Sequence, residues 1–169
     1  MRIGVLSDTH MKSPDKVLNH ILDNVFKDVN MILHAGDIVT ARVLDRLEER
    51  KALAVCGNMD DYEIVEALPQ VRIIEAKNKR IGLIHGWGSK QGLQERILSR
   101  FEEDPPDLVV YGHSHVPFFG KVKGVLMFNP GSASHNIYVD ECTVGILEIL
   151  GSEFKAEIIN IPTNAGKSF

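Results

Sequence analysis

One segment of the chain reads Asp107-Leu108-Val109-Val110-Tyr111-Gly112-His113-Ser114-His115. Its apolar run is typical of a buried strand, and Gly112 permits a turn that a residue with a Cβ resists. On a turn, His113 and His115 can point at one centre, whereas on an extended strand they would face opposite ways. Two such imidazoles at a strand end indicate a metal site. A solvated loop containing two histidines is the alternative, so the rest of the chain must supply further ligands.

The composition is that of an ordinary globular domain. The 169 residues are 44% hydrophobic and 25% charged, a size at which about 70% of the unfolded surface becomes buried. A net charge of −4 argues against nucleic-acid binding driven by charge. Cys56 and Cys142 lie far apart in apolar segments, which favours core thiols in a reducing compartment. Because no stretch reaches membrane-spanning length and no signal peptide precedes the first strand, we expect a cytoplasmic protein with no membrane contact.

Three earlier predicted strands also end in polar residues. They are Arg2–Ser7, followed by Asp8 and His10; Met31–His34, followed by Asp37; and Ala52–Cys56, followed by Asn58. Helices are predicted between them, one with Ser13 as N-cap and Pro14 as its first residue, and a second capped by Thr40. This alternation predicts a parallel sheet, and ligands of such sheets lie beyond the carboxyl ends of the strands.

The second half of the chain is richer in strands. Val71–Glu75 and Ile81–Ile84 are predicted to form a hairpin that ends in His85, and Ser89 opens the next helix. Further short strands are predicted around 117–123, 125–128, 137–140, 143–150 and 154–161. Because no long helices separate them, we expect antiparallel pairing in a second sheet. The prediction is a single α/β domain over 1–169, with two sheets packed face to face and helices outside.

Seven polar residues fall at these strand ends. They are Asp8, His10, Asp37, Asn58, His85, His113 and His115. A single metal needs fewer protein ligands, whereas two metals that share a bridging carboxylate would use all seven and keep positions open for water and substrate. The set therefore predicts a binuclear site. Nitrogen and oxygen ligands without thiolate favour Mn, Fe, Co, Ni or Zn over calcium or magnesium.

Six short motifs occur in a fixed order along the chain. They are Asp8-Thr9-His10, Gly36-Asp37, Gly57-Asn58-Met59-Asp60, His85-Gly86, Gly112-His113-Ser114-His115 and Asn129-Pro130-Gly131-Ser132. With these motifs, residues 1 to about 135 resemble the calcineurin-like metallophosphoesterases, in the small bacterial and archaeal phosphodiesterase branch. The resemblance implies a four-layer α/β/β/α sandwich of two mixed sheets.

The resemblance also implies how the ligands are divided between two divalent transition metal ions. Asp8, His10 and His115 would hold one ion, Asn58, His85 and His113 the other, and Asp37 would bridge them. A hydroxide that bridges the metals is the expected nucleophile, since two metals lower the pKa of a shared water. Manganese is the favoured ion, with Ni, Fe, Co or Zn as alternatives. The expected catalytic residues are Asp37, Asn58, Asp60 and His85.

The chain departs from the wider family at two positions. Met59 stands where many members carry a histidine thought to protonate the leaving group, and a thioether cannot donate a proton. Trp87 stands where many relatives have a second histidine; it is either a changed substrate contact or a rim aromatic that packs on its loop. His34 and His135 are near the expected site, and neither is a predicted ligand.

Three functions compete. The first is a metal-dependent phosphodiesterase that hydrolyses small diesters, nucleotide-derived ones among them, in an open cleft. The second is a protein-binding scaffold of the same fold, because the family includes a retromer subunit that looks to have lost catalytic competence. The intact set of seven ligand residues disfavours it. A nuclease is disfavoured by the acidic balance and the lack of a basic stripe. The sequence leaves a homo-oligomer open.

Overall fold

The structure is a computed structural model and describes residues 1–134 and 141–162. The strands are β1 (Arg2–Leu6), β2 (Met31–His34), β3 (Leu53–Ala54), β4 (Val71–Ala76), β5 (Lys79–Ile84), β6 (Leu108–Val110), β7 (Phe118–Val122), β8 (Val125–Asn129), β9 (Cys142–Leu150) and β10 (Glu153–Ile161). The helices are α1 (Lys16–His20), which continues as a π-helical segment (Ile21–Val25), α2 (Ala41–Glu49), α3 (Tyr62–Ala67) and α4 (Leu93–Ser99).

The strands form two mixed sheets of five strands each. The first has the order β10-β9-β1-β2-β3, and the second has the order β4-β5-β6-β8-β7. In the first sheet β1, β2 and β3 run parallel and β9 pairs antiparallel with β1, with Val5 opposite both Leu33 and Gly145. In the second, β5, β6 and β8 run parallel, with Val110 opposite both Leu83 and Phe128.

Three hydrophobic clusters separate four layers. The central cluster joins the inner faces of both sheets, for example Val5 and Leu33 of the first with Leu83 and Val110 of the second. Since side chains alternate along a strand, the neighbouring residues face outward. Those of the first sheet pack against α1, α2 and α3, and those of the second pack against α4. The predicted α/β/β/α sandwich, with two sheets face to face and helices outside, is confirmed.

The late strands do not all form one antiparallel sheet, so that expectation was wrong. β9 and β10 extend the first sheet beyond β1, and β7 and β8 extend the second. β8 also runs parallel to β6 although no helix lies between them. The chain reverses before β7 and again before β8, so two reversals restore the original direction. The strand predicted around 137–140 lies outside the described residues.

Two predicted helix starts were also wrong. α1 begins at Lys16 with Asp15 as its N-cap, because the Asp15 carboxylate accepts the Leu18 amide at 2.8 Å. α4 begins at Leu93, after Gly92 in a left-handed conformation, and so later than Ser89. The helix α2 does follow Thr40, as predicted.

Cys56 and Cys142 are buried free thiols, in agreement with the expectation of core cysteines. Among the described residues, no helix combines the length and apolar character needed to cross a membrane.

Candidate metal centre

The predicted ligands lie on turns that follow the carboxyl ends of the strands. Five of them have positive φ angles, between 45° and 67°: Asp8, His10, Asp37, His113 and His115. This left-handed conformation costs roughly 1–2 kcal/mol for a residue with a Cβ, and such strain is concentrated at functional sites. Tight turns of this kind allow residues two apart in sequence to face one centre, and that arrangement stays a prediction for His113 and His115.

One group of ligand atoms combines Asp8, His10 and His115. Their ligand atoms lie within 4.8 Å of one another. The Asp8 Oδ1 atom is 3.1 Å from His115 Nε2 and 3.6 Å from His10 Nε2, and the two ring nitrogens are 3.2 Å apart. One carboxylate oxygen and two imidazole nitrogens therefore converge from two sheets, β1 in the first and β6 in the second.

A second group combines Asp8, Asp37 and His85, whose ligand atoms also lie within 4.8 Å of one another. The Asp37 Oδ2 atom is 3.2 Å from His85 Nε2 and 3.6 Å from His10 Nε2. The other oxygen, Oδ1, accepts the Met59 amide at 2.8 Å. Asp8 is the residue common to the two groups, and a single oxygen of Asp37 faces an imidazole from each.

The structure places His113 and Asn58 at the edge of these groups. The His113 ring meets the His85 ring edge-on, with centroids 5.3 Å apart, and its Nε2 lies 2.7 Å from the Gly88 carbonyl oxygen. Because a carbonyl only accepts, Nε2 carries the proton and Nδ1 holds the lone pair that can bind a metal. Asn58 is exposed and lines a cavity together with His85.

Two buried atoms show that this donor set fits a cation. Asp8 Oδ1 and His85 Nε2 have no hydrogen-bond partner in the described part of the chain. The other ring nitrogen of His85 lies 2.7 Å from the Ala35 carbonyl, which fixes a proton on Nδ1, so Nε2 is the nitrogen that can bind a metal once it has lost its proton. Burying such groups without a partner costs free energy, and a metal ion is a partner for both.

The charges of the site shift the pKa values of its members. Burial opposes ionisation of Asp8, but contacts with His10 and His115 hold its pKa well below the usual range. Burial also opposes ionisation of Asp37, and contact with His85 lowers the pKa of this carboxyl. Contact with Asp8 raises the pKa of His10. Burial lowers the pKa of His85, but the two carboxylates outweigh it and raise the value to about 9.

A buried hydrogen-bond network supports the candidate ligands, and its contacts could not be predicted from the sequence. The His34 ring accepts the Gly36 amide on Nδ1 at 3.1 Å, so its Nε2 donates to Thr9 Oγ1, 3.2 Å away. The Thr9 hydroxyl in turn donates to the Asp37 carbonyl at 3.3 Å. Burial lowers the pKa of His34 to about 3, so this ring is neutral and holds the Asp37 loop in place.

A second support fixes the Asp8 loop. Ser132 and Ser134 each donate a hydroxyl hydrogen bond of 3.0 Å to the Asp8 carbonyl. Ser132 belongs to a motif that the sequence singled out, whereas nothing local distinguishes Ser134 from an ordinary loop serine. His135 lies outside the described residues.

Asp60 acts on the site through two loops. One carboxylate oxygen accepts the Val39 amide at 2.6 Å, and the other accepts the Gly57 amide at 2.7 Å. Asp60 therefore ties the loop after Asp37 to the loop that carries Asn58. Its predicted catalytic role stays a prediction, and the contacts described here are those of a positioning residue.

Close packing at Gly112 gives the first testable expectation. A Cβ at this position would lie 1.9 Å from Ser7 Oγ and 2.8 Å from Asp8 Oδ2. We expect Gly112→Ala to lower the free energy of unfolding by about 3 kcal/mol, since the clash is with buried groups that cannot move freely. Urea unfolding of the metal-free protein measures it.

The matched control is Gly124→Ala. Gly124 has a φ of 86° with nothing within 4 Å of the added Cβ, so this change carries only conformational strain of about 1 kcal/mol. Equal losses in the two variants would show that the contact at Gly112 is not a steric limit.

The comparisons with known proteins agree on one family. Residues 1–152 match the calcineurin-like phosphoesterase superfamily domain. A probable metallophosphoesterase of Methanothermobacter thermautotrophicus is 35% identical over 160 residues, which cover 94% of this chain and 92% of that protein.

Solved structures show the same likeness. A novel archaeal phosphodiesterase is 26% identical with a TM-score of 0.71, and the match covers 94% of this chain and 100% of that one. A single mutant of Vps29 from Entamoeba histolytica is 25% identical with a TM-score of 0.68, covering 96% and 100%. The match of most of the chain to the family, together with a relative above 30% identity over nearly its whole length, confirms the resemblance drawn from the motifs. The chain belongs to the calcineurin-like phosphoesterase superfamily.

Proposed function

We propose that the protein is a phosphodiesterase that uses two divalent transition metal ions to hydrolyse small phosphodiesters, and that residues 1–169 form one metallophosphoesterase domain. The observation that supports it most directly is the pair of buried atoms without hydrogen bonds, Asp8 Oδ1 and His85 Nε2, at the meeting point of the ligand groups. Burying a carboxylate oxygen and an imidazole nitrogen that make no hydrogen bond costs free energy, and a bound cation would offset that cost.

We propose the division of ligands that the family resemblance implies, and the group of Asp8, His10 and His115 supports the first half of it. Asp8, His10 and His115 would hold one ion, while His85 would hold the other together with Asn58 and His113. Asp37 would bind both through Oδ2, since its Oδ1 is already occupied by the Met59 amide. Two divalent ions at this site would lower the pKa of a bound water and offset the negative charge of the phosphoryl oxygens. We favour manganese, with Ni, Fe, Co or Zn as alternatives.

The chain's own residues set the charge and shape of the site. Two carboxylates, Asp8 and Asp37, leave about two positive charges uncompensated on two divalent ions, and a phosphodiester anion is attracted to that excess. His85 and Asn58 border an open cavity, so a small diester can reach the ligands directly. Asp60 keeps Asn58 and Asp37 at a fixed separation through its two backbone contacts.

The experiment is metal analysis of the purified protein together with hydrolysis of bis(p-nitrophenyl) phosphate. We expect two equivalents of transition metal per chain and turnover that is lost on chelation and restored by Mn²⁺. The scaffold function, which is the alternative from the sequence, predicts the opposite. Protein that binds no metal after reconstitution, or that binds metal and hydrolyses no diester, would contradict the proposal.

The identity of residue 59 leads to a prediction about how the rate depends on the leaving group. The Met59 side chain is 58% exposed beside the site, and a thioether has no proton to give. General acid catalysis contributes about 10² to 10⁴-fold, so its absence should appear as a steep fall in rate as the leaving-group pKa rises. The measurement is the rate for a series of aryl methyl phosphates at saturating Mn²⁺. Met59→His should flatten this dependence.

The control is Met59→Leu, which removes the sulfur without adding an acid and should keep the steep dependence. His34 is not an alternative acid, because it is buried and both of its ring nitrogens are hydrogen-bonded. A shallow dependence in the unaltered protein would mean that another group, or a water molecule, supplies the proton.

A further inference from the structure

A cavity of about 350 Å³ opens beside the candidate metal centre, and we call it the Trp87 pocket. Asn58 and His85 form one wall, so the pocket reaches the proposed ligands directly. Its volume is at the lower end of the range of roughly 300–1,000 Å³ for small-molecule sites. A second cavity of about 400 Å³, beside Ser114 and Phe118, contains none of the predicted ligands. An ester group of a diester held at the centre would therefore enter the Trp87 pocket.

The far wall of the Trp87 pocket is apolar and exposed. Val65 and Val71 line it with Trp87, and the side chains of Val65 and Trp87 are 43% and 41% exposed. Large apolar side chains that stay in contact with water beside a cleft indicate a ligand surface. A partly exposed indole is suited to bind a flat aromatic ring, since stacking on an aromatic side chain contributes binding free energy for any nucleobase.

The lining of the pocket also includes the polar Gln70 and, directly after α4, Arg100. Among the described residues its side chain has no hydrogen bond or ion pair. A guanidinium carries five hydrogen-bond donors and no acceptor, so it is suited to bind a ligand edge that carries acceptors. A paired acceptor edge of this kind is a property of nucleobases, with guanine O6 and N7 as the common partner of arginine.

The neighbouring Arg96 links the loop of Trp87 to α4. It donates to the Trp87 carbonyl at 3.0 Å and to the Gln91 carbonyl at 2.8 Å. The loop that carries Trp87 is thus fixed to α4, and Arg100 lies one helical turn beyond Arg96 on the same face. The loop of Trp87 is therefore ordered before a ligand binds, whereas the Arg100 side chain would be ordered by the ligand.

We propose that the Trp87 pocket binds the nucleobase of a nucleotide-derived diester, with the base stacked on Trp87 and its acceptor edge toward Arg100. This rests on the proposed function, because it takes the phosphoryl group to lie at the metal centre. Trp87 and Arg100 are then residues that determine which diesters the protein selects.

Direct binding tests this without turnover, because Trp87 is the only tryptophan of the chain and its fluorescence reports on the pocket. The full chain, at constant Mn²⁺, is titrated with guanosine 5′-monophosphate and with ribose 5-phosphate, which lacks only the base. We expect saturable quenching by the nucleotide and an affinity about tenfold or more above that for ribose 5-phosphate. Arg100→Ala should weaken nucleotide binding about tenfold and leave ribose 5-phosphate unchanged.

The matched control is Arg42→Ala, which removes the same charge from an exposed position on α2 outside the pocket and should change neither affinity. Equal affinities for the two phosphates, or nucleotide binding that is unaffected by Arg100→Ala, would overturn the inference.

Hydrolysis of methyl p-nitrophenyl phosphate, which has no base, separates this inference from the proposed function. If the protein hydrolyses this diester but shows no preference for the base, the proposed function is supported and the base pocket is contradicted. If binding depends on the base and on Arg100 but no diester is hydrolysed, the base pocket is supported and the proposed function is contradicted.

Discussion

Replacing Asp37 by Asn is expected to abolish turnover and lower the bound metal below two equivalents per chain. The Asp37 carboxylate is nearly isosteric with the amide, yet neither orientation of the amide satisfies the site. With the NH₂ group in place of Oδ2, a donor without a lone pair would face His10 and His85. With the NH₂ group in place of Oδ1, it would oppose the Met59 amide that now donates to this atom.

The loss should exceed the roughly 10- to 100-fold that follows from mutating a hydrogen-bond partner of a metal ligand. Metal content by elemental analysis and the rate with bis(p-nitrophenyl) phosphate measure the two effects. His113→Asn should be milder toward the first ion, since Asp8, His10 and His115 remain. Asp45→Asn, an equal charge change on the exposed face of α2, is the control. Both metals and a near-normal rate in the Asp37→Asn protein would contradict the binuclear assignment.

The positions of the candidate ligands, at the ends of strands, were predictable because the signal is local. Each apolar run ends in glycine or in a side chain that binds metals, and parallel strands bring such ends to one edge of a sheet. The positive φ angles of Asp8 and Asp37 were not predictable in the same way. Nothing in the residue type requires them, and they exist because surrounding contacts such as the Asp37–Met59 hydrogen bond hold the turns.

The assignment of strands to sheets depends on contacts that are distant in sequence. Gly145 of β9 packs so closely against Phe128 of β8 that an added Cβ would lie 2.3 Å from its ring. This contact joins the two sheets. A glycine within an apolar strand does not by itself predict which aromatic side chain will pack against it. The sequence therefore predicted β9 as a strand but assigned it to the second sheet, whereas it extends the first.

The contacts that support the site were not predictable for a related reason. His34 and Ser134 contact the loops of Asp37 and Asp8 only after two strands or distant segments come together. The structure likewise gives Trp87 a defined place at a pocket wall, where the sequence left two alternatives open. No sequence motif surrounds Arg100, and its proposed role follows from its position in the lining of the Trp87 pocket, which depends on the fold.

Acidification is expected to release the metals, because protons compete for the same imidazole nitrogens. In the metal-free protein His85 has a pKa raised to about 9, and contact with Asp8 also raises that of His10. A pKa that is higher in the folded than in the unfolded state stabilises the metal-free fold at pH values below the unfolded-state pKa. This stabilisation is lost as the pH rises through about 9. Binding a metal must displace these protons, so the apparent metal affinity should rise by about one to two powers of ten per pH unit through neutrality.

Titration with Mn²⁺ at pH 6, 7 and 8 measures this slope, and calorimetry in buffers of different ionisation enthalpy counts the released protons. Asp8 and Asp37 add little to the count, since their lowered pKa values keep them ionised throughout this range. His20→Asn, which removes an imidazole on α1 outside the site, should leave the slope unchanged. Metal and activity should be lost together below about pH 5 and return when Mn²⁺ is added at neutral pH. A flat affinity between pH 6 and 8, or full activity at pH 4 without bound metal, would exclude imidazole-held metals as the basis of the reaction.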